Sequence, residues 1–180
     1  ITCANDFEQY LGHISPAQVF SATVENSLKV ARDAFQDGSV YNFSSILNVG
    51  FATAVDALMA VKKFVYERQD VTLAQLRDIL RDNWKGHEKL RLRILHDGDK
   101  FGNGIDAVDL YAEALARVVG NTINLRPTAR GGIYLASLHT ARLYITMGEK
   151  TGATPDGRLA GEEMSKNALP TMGMDVRGVT

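Results

Sequence analysis

The chain has 180 residues, 45% of them hydrophobic, and a net charge of −1, which is typical of a globular domain with its own apolar core. The basic residues are dispersed, and their densest cluster, residues 85–93, is interrupted by Glu88 and by leucines. This pattern predicts the solvated face of a helix and argues against a nucleic-acid surface, and no apolar run reaches the ~20 residues that cross a bilayer.

The first helix predicted along the chain begins at a capping-box pattern. In residues 15–18, SPAQ, Ser15 and Gln18 have the capping spacing, and Pro16 suits the first helical position. Apolar residues follow at helical spacing up to Gly38 and predict a stripe that faces a core: Phe20, Val24, Leu28, Ala31 and Phe35. Residues 40–50 are apolar and β-branched, and predict a short buried strand or an extended connection.

Four more helices are predicted before residue 121. Residues 52–67 are amphipathic, and a second capping box, TLAQ at 72–75, opens a helix followed by Gly86. The residues of this helix predicted to face inward are Leu73, Leu76, Ile79, Leu80 and Trp84. A short helix is expected over 87–95, a glycine-rich loop over 97–104, and an amphipathic helix over 105–120 that Gly120 closes.

The pattern changes after Gly120. Residues 130–148 contain alternating apolar side chains and predict one or two strands, with Leu143, Ile145 and Met147 on one side. Residues 148–180 show little periodicity, and a structureless stretch of this length is usually functional or disordered. The chain is therefore predicted to be helical over 15–120 and to form a strand and loop region over 121–180.

The stretch TPDGR, residues 154–158, is the candidate site. Pro155 presets the backbone for a turn, Asp156 can bind its own downstream amide, and Gly157 permits a positive φ. Such a turn aims Arg158 in one direction. Two interpretations stay open: a structural arginine that pairs with Glu162 or Glu163, and an anion clamp that contacts a substrate.

Other motifs for chemistry are missing from the sequence. The four histidines show no HxxxH or HExxH spacing, and the single cysteine, Cys3, excludes an internal disulfide and a multi-cysteine metal site. A reducing, cytoplasmic location is the simplest interpretation of one cysteine. The start, ITCANDFEQY, has neither an initiator Met nor a signal-peptide pattern, so we expect the chain to be cut from a longer protein.

The segment TGATPDGRLAGEEMS resembles the T-P-D-G-R-x-A-G-E-P-x-S segment of the glycyl radical enzymes, the family of pyruvate formate-lyase and of the glycerol and diol dehydratases. Other segments are similar to family segments in the family's order: residues 41–67, residues 73–109 with KFGNG at 100–104, and GMDVRGVT at 173–180. Together they cover nearly all of residues 16–180, and the combination identifies the family.

The resemblance implies a fold and a chemistry. The chain would be a predominantly helical α/β segment of a ten-stranded β/α barrel, with a few strands and a long C-terminal connection. In this family an activating enzyme, which uses S-adenosylmethionine and an iron–sulfur cluster, places a radical on a glycine. That glycine oxidises a cysteine to a thiyl, which abstracts hydrogen from a small-molecule substrate in an enclosed site. The implied partners are the rest of the parent chain, the activating enzyme and a second copy in a homodimer.

Neither radical carrier of the family is recognisable in these residues. Cys3 is followed by Ala4 and Asn5 instead of the family's G-C-x-E pattern. RVVGN at 117–121 imitates the radical-glycine motif, but it precedes TPDGR and ends in Asn121 where the family has an aromatic residue. We therefore expect no catalytic residue and no cofactor within this chain, and no catalysis by it alone. Dehydration, decarboxylation and carbon–carbon cleavage all stay open for the parent enzyme.

Two hypotheses from other functional classes also stay open. The chain could be a stand-alone helical binding module that kept the scaffold without its chemistry. It could instead be a small phosphate or anion binder that uses the main-chain amides of residues 148–161 as a nest.

Overall fold

A computed structural model describes residues 1–177, which form two compact units. The first unit consists of residues 1–46 and 118–137, and the second of residues 47–117 and the described part of 138–180. Among the residues described, the structure contains no helix long and apolar enough to span a membrane.

The first unit combines short helices with a two-stranded sheet. The helices are α1 (Thr2–Ile14), α2 (Gln18–Ser21) and α3 (Glu25–Val30), followed by a wide turn at Ala34–Gly38. The strands β1 (Phe43–Leu47) and β2 (Ile133–Ser137) pair with each other. A strand within residues 40–50 and one within 130–148 are thus confirmed. The prediction that the first of them is buried is wrong, because Phe43 is 56% exposed. Helix α1 lies before the predicted helical region.

Polar side chains bind α1 to β2 and to the residues that precede it. Arg130 lies 3.4 Å from the Glu8 carboxylate and donates to Ser44 Oγ at 2.8 Å. The hydroxyl of Tyr134, which is buried, donates to Asn5 Oδ1 at 2.9 Å. Because Glu8 is also buried, the pair is shielded from water and its loss would leave an unpaired charge.

The capping box predicted at Ser15 is wrong. Ser15 follows α1, and its main-chain N–H donates to the carbonyl of Leu11 at 2.8 Å. The next helix, α2, begins after Ala17 with no side-chain cap. The residues of the SPAQ pattern therefore form the connection between two helices, because α1 already extends to Ile14.

The single helix predicted up to Gly38 is also wrong. Ala31 takes a left-handed φ of 52° directly after α3 and ends it. The predicted inward stripe does not face a core, since Phe20 is 55% exposed and Leu28 is 64% exposed. Polar bonds instead hold the turn after α3 against that helix: the carbonyl of Gly38 accepts from Asn26 Nδ2 at 2.9 Å and from Ser27 Oγ at 3.1 Å.

The second unit contains most of the helices. These are α4 (Phe51–Ala60), which continues as wide π-helical turns over Val61–Glu67, α5 (Leu73–Arg81), α6 (Glu88–Asp97) and α8 (Leu143–Glu149). Helix α7 (Asp106–Ile123) begins in this unit. The capping box of α5 is confirmed, because Gln75 N donates to Thr72 Oγ1 at 3.2 Å and Thr72 N to Gln75 Oε1 at 2.8 Å.

Two apolar clusters form the core of this second unit. The larger joins α4 and its extension to α5 and α6, through Ala60, Phe64, Val65, Leu76, Ile79, Trp84 and Ile94. The smaller joins α4 to α7, through Val55, Met59, Val108 and Ala112. Of the five residues predicted to face inward, Leu76, Ile79 and Trp84 are buried and Leu80 is partly buried. Leu73 is 53% exposed, so the prediction for Leu73 is wrong.

Two boundaries in the last third of the chain differ from the predictions. Helix α7 does not close at Gly120, whose carbonyl accepts from Asn124 N at 2.8 Å, because an interior glycine costs a helix only about 1 kcal/mol. Residues 143–147, predicted as a strand, form α8, where Thr146 N donates to the carbonyl of Arg142 at 3.4 Å. Residues 150–177 contain no helix or strand, as predicted.

Candidate functional site

The TPDGR turn (residues 154–158) is closed by its own hydrogen bonds. Gly157 N donates to the carbonyl of Thr154 at 3.2 Å, and Thr154 N donates to the carbonyl of Arg158 at 3.1 Å. The buried carboxylate of Asp156 accepts from Thr154 Oγ1 at 2.5 Å, a bond within the turn that differs from the predicted bond to a downstream amide. The turn is therefore held by both side-chain and main-chain bonds.

Gly157 is needed for two separate reasons. Its φ is +100°, a conformation that residues with a Cβ rarely adopt. A Cβ at this position would also lie 2.9 Å from the side chain of Leu95 in α6. The turn can pack this closely against α6 only because residue 157 has no side chain.

Arg158 is buried, and its guanidinium donates to oxygens of its own loop. Its Nε donates to Thr154 Oγ1 at 3.2 Å and its Nη1 donates to the carbonyl of Glu162 at 2.6 Å. Its Nη2 donates to the carbonyls of Thr151, at 3.3 Å, and of Gly152. Burial lowers the pKa of Arg158 while Asp156 and Glu162 oppose the change, and a guanidinium keeps its charge in such a site.

The predicted ion pair of Arg158 with a glutamate takes a different form. Glu162 is a partner through its main-chain carbonyl, whereas its carboxylate accepts from Leu159 N at 2.8 Å. The guanidinium thus ties together main-chain atoms on both sides of the turn. The charged group thus faces carbonyl oxygens of its own loop and connects them to one another.

Two basic side chains from outside the turn bind its consecutive carbonyls. Lys100 Nζ donates to the carbonyl of Asp156 at 2.8 Å, and Arg91 Nε donates to the carbonyl of Gly157 at 2.7 Å. The sequence interpretation missed both residues: Arg91 belongs to the cluster interpreted as a solvated helix face, and Lys100 to a loop considered for its glycines. The signal available was that residues 73–109, which contain both Arg91 and Lys100, resemble the same family as TPDGR.

A buried aspartate lies next to this lysine. Asp56, on α4, is 1% exposed; its Oδ1 accepts from Phe101 N at 2.7 Å, and its Oδ2 accepts from Thr171 Oγ1 at 3.3 Å. Burial raises the pKa of Asp56 to about 6, although the positive charge of Lys100 and the Phe101 amide oppose the rise. Burial also lowers the pKa of Lys100, against the attraction of Asp56 and Asp156.

Side chains also hold the irregular C-terminal connection (residues 150–177) in place. Asn103 Nδ2 donates to the carbonyl of Met174 at 2.8 Å, and Asn103 Oδ1 accepts from Arg177 N at 3.0 Å. Thr53 and Ser165 exchange bonds, each hydroxyl accepting from the other's main-chain N–H at 2.9 and 3.0 Å. The connection is therefore ordered by specific polar contacts without being a helix or a strand.

The described residues offer no metal site: within 1–177, no group of three or more His, Cys, Asp or Glu side chains is placed to hold an ion. Cys3 lies in the first turn of α1 and is exposed. RVVGN at 117–121 lies in α7, away from any loop.

A family model described as "Pyruvate formate lyase-like" matches residues 1–148. The chain belongs to the pyruvate formate lyase-like family. The resemblance drawn from the four sequence segments is thus confirmed. Within the segment GMDVRGVT, residues 178–180 lie outside the described residues.

Curated members of the pyruvate formate lyase-like family extend the comparison. The chain is 34% identical to a probable dehydratase, YbiW, of Escherichia coli over 170 residues, covering 89% of this chain and 21% of that protein. It is 29% identical to trans-4-hydroxy-L-proline dehydratase of Clostridioides difficile, covering 92% of this chain and 21% of that protein. The chain therefore spans about a fifth of the length of these relatives.

Solved structures agree with the sequence relatives. The glycerol-bound B12-independent glycerol dehydratase of Clostridium butyricum matches 97% of this chain and 22% of its own, at 32% identity and a TM-score of 0.87. A glycyl radical enzyme of Archaeoglobus fulgidus matches 97% of this chain and 22% of its own, at 28% identity and a TM-score of 0.88. A match over 97% of the chain extends past residue 148, so it includes part of the C-terminal connection.

Proposed function

We propose that the chain is a segment of a glycyl radical dehydratase or lyase. The proposal is supported by family membership and by relatives that are named dehydratases or, in the case of isethionate sulfite-lyase, a lyase. In this proposal the helices and the few strands flank or contribute to a ten-stranded β/α barrel. The parent enzyme would act on a small molecule in the cytoplasm, as a homodimer, after activation by the S-adenosylmethionine-dependent activating enzyme.

We propose a structural role for Asp156, Gly157 and Arg158 within that enzyme. The observation that carries it is the hydrogen bonding of Arg158, whose Nε, Nη1 and Nη2 atoms all donate to oxygens of residues 151–162. The N–H donors of a buried guanidinium that is engaged in this way are already used by oxygens of its own loop. A substrate anion would have to displace those bonds, at a cost of about 1.5–3 kcal/mol for each charged hydrogen bond.

The experiment that tests this role replaces Arg158 in the full-length gene product. Arg158→Lys keeps the charge but cannot bind four separated acceptors. If Arg158 has a structural role, we expect loss of folded protein or a lower Tm. A raised KM in a protein of unchanged Tm would instead indicate contact with the substrate and contradict the structural role. Arg117→Lys is the matched control, because Arg117 is exposed and pairs only with Glu113 on its own helix.

We propose that residues 1–180 do not carry out the radical reaction by themselves. The motif comparison supports this, since neither Cys3 nor Gly120 stands in the family's radical-carrier pattern. Incubation of the 180-residue chain with an activating enzyme and S-adenosylmethionine should leave it without a glycyl doublet in electron paramagnetic resonance. A doublet from this chain would overturn the proposal.

The alternative of a phosphate nest in residues 148–161 has less support from the geometry. The amides of Gly157, Leu159, Ala160 and Gly161 already donate to protein oxygens: those of Thr154, Glu162, Asn83 and Thr151, respectively. A nest needs such amides to point at the ligand. If the loop is nevertheless a nest, phosphate should raise the Tm of the 180-residue chain.

A further inference from the structure

A cleft of about 430 Å³ lies in the second unit, next to the TPDGR turn. Its wall combines charged side chains with Leu95 and with the methionines at 164, 172 and 174. The volume is within the 300–1,000 Å³ or so that is usual for small-molecule pockets, and thioether side chains adapt to ligands of different shapes.

The turn brings two cationic side chains to neighbouring positions on this wall. Lys100 Nζ binds the carbonyl of Asp156 and Arg91 Nε binds the carbonyl of Gly157, at 2.8 and 2.7 Å. The two groups therefore bind consecutive main-chain carbonyls of one turn. Both residues line the cleft.

Both cationic groups retain unused hydrogen-bond donors. Arg91 uses its Nε for the bond to Gly157, so both of its Nη groups are free to donate to a ligand. Lys100 makes one bond, so two of its three N–H groups are free. Among residues 1–177, neither side chain forms an ion pair with a carboxylate. Arg158, the third cation of the wall, differs because its guanidinium is engaged by its own loop.

The acidic side chains of the cleft leave these donors available. The carboxylate of Asp156 accepts from Thr154 Oγ1, and that of Glu162 accepts from Leu159 N. The third acidic residue, Glu163, is exposed. Each of these carboxylates keeps acceptor capacity of its own, and the wall also offers the positively charged donors of Arg91 and Lys100, which form no ion pair within the described part of the chain.

We propose that this cleft binds a small organic carboxylate. Its two oxygens would accept from the Nη groups of Arg91 and from Lys100 Nζ, and its short apolar body would pack against Leu95 and the methionines. A guanidinium with two free Nη groups matches a carboxylate in a bidentate geometry, and its hydrogen bonds to an ionised acceptor are the stronger kind. The proposal does not depend on the radical reaction, because it concerns binding alone.

Binding is measured by ligand-detected nuclear magnetic resonance with propionate and with propionamide, a neutral molecule of the same size. The 180-residue chain and the full-length gene product are both titrated at low salt. Propionate is expected to bind with a Kd of about 1 mM, more weakly as salt rises, and propionamide at least about tenfold more weakly. Equal binding of the two molecules would overturn the proposal.

Variants of the wall test which groups hold the ligand. Arg91→Gln should weaken propionate binding at least about tenfold, since it removes charged donors. Lys89→Gln is the matched control, because Lys89 is exposed on the same helix and loses the same charge without lining the cleft. If both variants weaken binding equally, the effect is one of net charge and the proposal is wrong.

A second pair of variants avoids the bond between Arg91 and Gly157. Met172 lines the cleft and is 73% exposed, so its replacement should leave the fold intact. Met172→Glu places a competing carboxylate in the cleft and should bind propionate at least about tenfold more weakly than Met172→Gln, which loses the same apolar contact without adding a charge. Identical binding by the two variants would contradict the proposed position of the ligand.

The full-length gene product decides whether the ligand is a free molecule. Propionate binding to that protein supports the proposal. Binding to the 180-residue chain but not to the full-length product would mean that another part of the polypeptide fills the cleft, and would overturn a free-ligand site. Absence of binding to both proteins would overturn it as well. None of these outcomes depends on glycyl radical formation, so failure here is distinguishable from failure of the proposed function.

Discussion

Asp56 should make the stability of this protein fall as the pH rises from 5 to 7.5. Its carboxyl is 1% exposed, and burial raises its pKa from the ordinary 3.8 to about 6. Between these two values the folded protein binds more protons at Asp56 than the unfolded chain does. The contribution of this group to stability is therefore complete below the unfolded pKa and is lost as the pH rises through the folded one.

The magnitude follows from the size of the pKa shift. A shift of about 2 pKa units corresponds to about 3 kcal/mol in total. Between pH 5 and pH 7.5 the share is about 1 kcal/mol, because Asp56 is already mostly ionised in the unfolded chain at pH 5 and the rest of the effect lies below that pH. Protonation keeps the local bonds available, since the neutral carboxyl can still accept from Phe101 N and can donate to Thr171 Oγ1.

The assay is urea unfolding of the 180-residue chain and of Asp56→Asn at pH 5 and at pH 7.5. The free energy of unfolding of Asp56→Asn, relative to wild type, should rise by about 1 kcal/mol between these pH values, because the amide does not ionise. Asp6→Asn, at an exposed position of α1, is the control for the loss of one carboxylate. The same pH dependence in wild type and in Asp56→Asn would refute the reasoning.

Three further substitutions test other parts of the structure. Gly157→Ala should destabilise the chain by about 1–3 kcal/mol, seen as a lower Tm, because of its φ of +100°; an unchanged Tm would contradict the described turn. Thr72→Ala should cost about 1 kcal/mol in urea unfolding, since it removes the α5 cap, whereas Thr72→Ser should cost much less. Asn103→Ala should speed proteolysis within residues 170–177 by releasing the carbonyl of Met174, and equal cleavage rates in variant and wild type would argue against that role.

Helices with a cap and a strong apolar pattern were predictable from the sequence. The capping box at Thr72 and the inward positions of Leu76 and Ile79 are local properties, and each is found in the structure. The SPAQ pattern at Ser15 has the same residue types, but α1 runs up to it and uses Ser15 as its end. A cap motif states that a helix can begin, whereas neighbouring elements decide whether it does.

The strand predicted at Leu143 to Met147 shows the limit of short patterns. Three alternating apolar residues fit either one turn of helix or a short strand, and a strand needs a partner to satisfy its main chain. In the structure the local helical bonds of α8 satisfy the main chain of this stretch. Periodicity over so few residues could not distinguish the two.

The sequence alone determined the family and the position of the TPDGR turn, because motif order and turn chemistry are written in consecutive residues. Only the tertiary structure decided how Arg158 is used and which distant residues meet the turn. Arg91, Lys100 and Asp56 are 56 or more residues away from Asp156 along the chain, and α4, α6 and the 98–104 loop bring them together. Hydrogen bonds and pKa shifts depend on such distances in space and on burial, and neither quantity can be read from the order of the residues.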